Sequence, residues 1–76
     1  MHARAAAIFV RESTLFECEI WLEKGKNRVN GKSIMGILTL AAAKGQTLVI
    51  EADGTDEDRA LEVLSGVILN GFTENE

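Results

Sequence analysis

Two polar side chains in this 76-residue chain have the setting for phosphoryl chemistry, and a third stands beside the first. His2 is the only imidazole, and it directly precedes Ala3-Arg4-Ala5-Ala6-Ala7, a run that favours helix. An unperturbed imidazole titrates near pH 6.5, so it offers a free nitrogen lone pair at neutral pH. A helix N-terminus presents unpaired N–H groups and the positive end of the dipole, the setting in which phosphate binds most readily. Arg4, in the first turn, can give planar paired hydrogen bonds to phosphoryl oxygens. The pair therefore suits a phosphoryl acceptor; the competing reading is an inert, frayed chain end. Ser33 is the second candidate. It suits an N-cap, worth about 1 kcal/mol, and also a phosphorylation target, since a phosphate there gains from the dipole. The two roles are compatible.

Apolar residues form a third constellation. Ile34, Met35 and Leu38 share one face of the segment after Ser33, and Ile37, Leu40 and Ala41 share another. One face serves the core, and the other is then an exposed docking surface. Cys18 is the only cysteine, so no internal disulfide forms, and no Cys/His cluster has metal-ligand spacing. No metal or cofactor is expected.

The elements that position these residues follow from periodicity. A helix is expected over about 3–15, with Ala6, Phe9, Val10 and Ser13 on its inner face, Phe16 continuing it, and Ile8 and Leu15 off the stripe. Residues 18–23 alternate, with Cys18, Ile20 and Leu22 on one face and Glu19, Trp21 and Glu23 on the other. Lys24-Gly25-Lys26 turns into a short strand over 26–30, giving a hairpin. Ser33 opens a helix over about 34–43, stopped by Lys44-Gly45. Gly36 inside it costs about 1 kcal/mol relative to alanine, a sign of close approach by a neighbour. A third strand over 47–52 turns Leu48, Ile50 and Ala52 inward and Val49 and Glu51 outward. Trp21 and Val49 thus lie on the side away from the core, awaiting a partner, a covering group or neither. Thr55 with Asp58 resembles a capping box for a last helix, whose inner stripe is Ala60, Leu61, Leu64, Val67 and Ile68 and whose stop is Gly71-Phe72. The order α-β-β-α-β-α is α+β, with helices on one face of an antiparallel sheet.

Length allows one small domain, 1–76. Net charge is −4, from 12 acids against 8 bases, which opposes non-specific nucleic-acid binding. No apolar run approaches 18 residues, so membrane insertion is not expected. The N-terminus lacks a signal-peptide apolar stretch. Together with the single cysteine this points to a cytoplasmic setting.

His2-Ala3-Arg4 before an alanine-rich helix, then Asn30-Gly31-Lys32-Ser33-Ile34-Met35-Gly36-Ile37-Leu38, resembles the HPr family. These are the histidine-containing phosphocarriers of the bacterial sugar phosphotransferase system. Ala43-Lys44-Gly45, Leu48-Val49-Ile50-Glu51-Ala52 and Gly54-Thr55-Asp56-Glu57-Asp58 with Ala60-Leu61 extend the match over essentially the whole chain. The resemblance implies an open-faced β-sandwich of order β-α-β-β-α-β-α. It makes His2 the phosphorylated histidine, Arg4 the arginine that assists transfer, and Ser33 the regulatory serine of an HPr kinase/phosphorylase. Ile34, Met35 and Leu38 become the patch that docks on Enzyme I and on EIIA domains.

Two departures accompany it. Ala5 stands where the family usually has proline, which keeps the helix but removes the pre-set φ. Only Met1 precedes the histidine, where the family has a strand and turn, so the strand over 47–52 is expected to have an open edge. The alternatives are a regulatory binding module acting through Ser33, an inactive shortened form, and a homo-oligomer joined through that edge.

Overall fold

The computed structural model of the chain describes residues 3–42 and 47–69. Its elements run α1 (Ala3–Thr14), β1 (Glu19–Lys24), β2 (Asn27–Asn30), α2 (Ile34–Ala42), β3 (Leu48–Asp53) and α3 (Glu57–Val67). The order is the α-β-β-α-β-α read from the sequence. His2 and the expected stops at Lys44-Gly45 and Gly71-Phe72 lie outside the described residues.

The sheet has the strand order β2-β1-β3 and is antiparallel throughout. β1 and β2 form a hairpin whose last pair is Lys24 with Asn27, leaving Gly25 and Lys26 as the turn. Gly25 has φ 63°, a left-handed value glycine adopts at little cost, and it occupies the first central position as a type II′ turn requires. β1 also pairs with β3, with Leu22 opposite Ile50 and Trp21 opposite Glu51.

One face of this sheet carries the core. Ile20 and Leu22 are fully buried and meet Ala6 and Phe9 of α1, Ile37 and Leu40 of α2, and Ala60, Leu64 and Ile68 at α3. Leu48, Ile50, Ala52 and Val29 pack against them, partly buried. Period-two alternation in the strands and the helical stripes therefore face each other as expected. Burying a side chain such as Phe9 contributes about 1.5–3 kcal/mol. Ser13 also lies on the inner face of α1, fully buried, and its hydroxyl has no hydrogen-bond partner among the described residues. Leu15, off the stripe, is exposed, whereas Ile8 is half-buried.

α1 closes with i to i+3 bonds, Leu15 N–H to Glu12 O and Phe16 N–H to Ser13 O, the tightening that satisfies end carbonyls. The Lys32 ammonium adds a bond to Phe16 O at 2.7 Å.

The start of α3 differs from expectation. Thr55 and Asp58 do not make a capping box: Asp56 is the N-cap, and its side chain makes no cap bond. Its carboxylate turns outward and accepts from Glu17 N–H at 2.9 Å and Cys18 N–H at 3.0 Å. Glu57 Oε1 instead accepts from Gly54 N–H at 2.9 Å. The two N–H groups in the α1–β1 connection thus hold the carboxylate of the N-cap residue of α3.

Candidate functional site

Two helix N-termini carry the candidate chemistry. α1 is the first. It begins at Ala3 and has no acidic residue in its first turn, so no acid of that turn offsets the positive end of its dipole. Ala3 and Arg4 are exposed there, Ala5 is half-buried and Ala6 is buried. Ala5, unlike a proline, retains its N–H as a further donor. His2 immediately precedes this turn in the chain and lies outside the described residues.

α2 is the second. Asn30 Oδ1 accepts from Lys32 N–H at 2.8 Å and Asn30 O accepts from Ser33 N–H at 3.1 Å, which turns the chain out of β2. Ser33 Oγ then accepts from Gly36 N–H at 3.1 Å, an N-cap bond to the third helical residue. The structural role read for Ser33 is therefore present. α2 buries Ile37 and Leu40 fully and leaves Met35 69% and Ile34 40% exposed. Leu38 is half-buried against the core. Of the two apolar faces in the sequence, Ile37 with Leu40 serves the core. Ile34 and Met35 form the exposed patch, with Leu38 partly drawn into the core. Such an exposed, methionine-containing surface suits an adaptable partner contact.

Sequence reading missed the groups that brace these termini. Lys32 ties the start of α2 to the end of α1 through Phe16 O, and α1 packs on both α2 and α3. The Asp56 carboxylate is held below its ordinary range, first by the Glu17 N–H bond and further by Cys18. Burial pushes the Cys18 thiol up, and its bond to Asp56 adds to this. On the open face, Arg28 lies 4.9 Å above the Trp21 ring and pairs with Glu51 at 2.6 Å and with Glu23. The covering group for Trp21 is thus the chain's own arginine, and Trp21 is half-buried while Val49 stays exposed. Hydrogen bonds donated to Glu51, then to Glu23, hold the guanidinium more firmly protonated than usual. Register alone places Glu23 opposite Arg28; the span to Glu51 needed the strand order. Among the described residues no group of three side chains is placed to hold a metal ion.

The profile of the family described as "PTS HPr component phosphorylation site" matches residues 1–70. The chain belongs to the HPr family. Phosphocarrier protein HPr of Neisseria meningitidis is 46% identical over 76 residues, covering all of this chain and 85% of the relative. HPr-like protein Crh of Bacillus subtilis is 43% identical over 68 residues, covering 90% of this chain and 80% of the relative. The HPr dimer from Thermoanaerobacter tengcongensis has a similar structure, with TM-score 0.81 and 42% identity over 97% of this chain and 85% of that one. HPr membership makes the chain a phosphocarrier of the phosphotransferase system rather than an enzyme. No strand precedes α1 among the described residues, whereas the order the family resemblance implies begins with one.

Proposed function

We propose that His2 accepts a phosphoryl group from Enzyme I and passes it to an EIIA domain, within a single domain spanning 1–76. The observation that carries this is the α1 N-terminus, free of acids in its first turn and bearing Arg4, directly after His2 in the sequence. An imidazole nitrogen of His2 attacks phosphorus. The new N–P bond forms as the N–P bond to the Enzyme I histidine breaks, and that imidazole leaves. The first-turn N–H groups and Arg4 take the charge on the phosphoryl oxygens. Positioning and charge stabilisation do most of the work, as in phosphoryl transfer generally. No cofactor is needed for this exchange. Transfer to EIIA repeats it in the other direction.

Ile34, Met35 and Leu38 are the contact surface for Enzyme I and EIIA, and Ser33 is the target of an HPr kinase/phosphorylase. A phosphate on Ser33 would sit where the cap bond now marks the start of α2, adding negative charge beside the patch. The setting is the cytoplasm; no helix among the described residues is long and apolar enough to cross a membrane. The relay is tested with Enzyme I, phosphoenolpyruvate and an EIIA domain. Phosphoryl transfer to EIIA should depend on the protein and stop in Arg4→Ala or fall strongly. Transfer at the wild-type rate in Arg4→Ala would remove Arg4 from the mechanism.

A second reading concerns self-association. β3 lies at the edge of the sheet, with no strand on its outer side among the described residues, and Val49 is exposed on it. An unpaired, regular edge is a template for strand addition. A homo-oligomer formed through this edge would sediment above the monomer mass in ultracentrifugation as concentration rises. Monomer at every concentration contradicts it.

A further inference from the structure

Gly36 stands in the first turn of α2, one residue after Met35 and three after Ser33. A β-carbon there would lie 3.1 Å from Val29 Cβ, 3.3 Å from Ser33 Oγ and 3.4 Å from Ser33 Cβ. Ordinary carbon contacts fall at about 3.5–4.0 Å. The helix backbone therefore rests on the strand more closely than nine in ten β-carbon contacts, and a neighbour must give by a few tenths of an ångström to admit one. Val29 is held in the sheet. It is a half-buried β2 residue in register with Leu22, which is fully buried. Its crowding atom is Cβ, which no side-chain rotation moves. The other crowded atom, Ser33 Oγ, holds the cap bond to Gly36 N–H itself.

We propose that Gly36 and Val29 are a positioning pair whose close approach sets the seat of α2 on the hairpin, and so the presentation of Ile34 and Met35 to a phosphotransfer partner. This rests on the docking role given to that patch above. Ile37 and Leu40 are fully buried and anchor the helix one turn further on. A methyl group at Gly36 can be accommodated by tilting α2 about this anchor, which moves its N-terminal end most. Ile34, Met35 and the Ser33 hydroxyl all lie on that end. Alanine is also the better helix former, so Gly36→Ala changes the seat of the helix without weakening the helix. Replacing Val29 by glycine in the same protein removes the β-carbon nearest the new methyl and lets α2 settle back.

The test compares wild type, Gly36→Ala, Val29→Gly, the double variant and Met35→Ala. It reads Enzyme I-driven phosphorylation against protein concentration, with thermal melts and backbone amide shifts recorded alongside. Gly36→Ala should raise the KM of Enzyme I for the protein about three- to tenfold with kcat within about twofold. The double variant should return KM to within about twofold of Val29→Gly alone. The amides of residues 33–37 should shift in Gly36→Ala and return toward their Val29→Gly positions in the double variant. A role in stability alone predicts that KM follows the melting temperature and that Val29→Gly adds to the damage. An unchanged KM in Gly36→Ala, or a double variant no better than Gly36→Ala, overturns the pair while a raised KM in Met35→Ala leaves the docking surface standing. An unchanged KM in Met35→Ala overturns the docking surface, and the pair's function with it.

Discussion

Asp56 joins the α1–β1 connection to the start of α3 by accepting two backbone N–H groups. Its carboxyl is held below the ordinary range, chiefly by Glu17 N–H, against the opposing pull of desolvation. A carboxylate lowered in the folded state adds stability above its unfolded pKa of about 3.9, and that stability is lost as pH falls through the folded value. Asp56→Asn should therefore be less stable than wild type at pH 7, with the gap closing below about pH 4. Urea denaturation at several pH values measures this, and curves that stay parallel down to pH 2 contradict it. Ser13 gives the opposite sign. Its hydroxyl is buried without a partner among the described residues, so Ser13→Ala should raise stability by about 1 kcal/mol, from removed desolvation and better helix propensity. The sequence placed Ser13 on the inner stripe and Asp56 near a helix N-terminus. It could not reveal that Asp56 serves residues nearly forty positions earlier, because that contact exists only once α1 and α3 are packed.

At the scale of elements, the hairpin and α2 were legible because each carries its own local signal. Alternation from Cys18 to Glu23 survives unchanged in the burial of Ile20 and Leu22. Ser33 before an apolar run marks the start of α2, and its cap bond is formed. Ser33→Ala should cost about 1 kcal/mol in chemical denaturation, leaving the N–H of Gly36 to water. A change below a few tenths would show that the Asn30 turn and the Lys32 bond to Phe16 O suffice to start the helix. The choice between the two apolar faces of α2 was not legible, since both have helical spacing; packing of Ile37 and Leu40 on the sheet decides it. The α3 start was misread for a related reason. Thr55 and Asp58 have the spacing of a local cap, but the N-cap of α3 is Asp56, whose carboxylate is taken by Glu17 and Cys18 N–H, while Glu57 accepts from Gly54 N–H.

At the scale of the whole molecule, the described residues form a three-stranded antiparallel sheet with three helices on one face and a charged, partly aromatic open face. Its topology was readable because helices and strands alternate around one hairpin. Its membership of the HPr family was readable because the motif after Ser33 stands at the family's distance from His-Ala-Arg. What neither composition nor spacing could supply is the set of braces that hold the two helix starts in place, Lys32 on α1 and Val29 beneath Gly36. The account depends most on His2. The direct measurement is the intact mass of the protein after incubation with Enzyme I and phosphoenolpyruvate, followed by acid treatment and by the same experiment on His2→Ala. One acid-labile phosphoryl group on the wild type and none on folded His2→Ala is the predicted result. Folded wild-type protein that takes no phosphoryl group, or His2→Ala that still takes one, contradicts it.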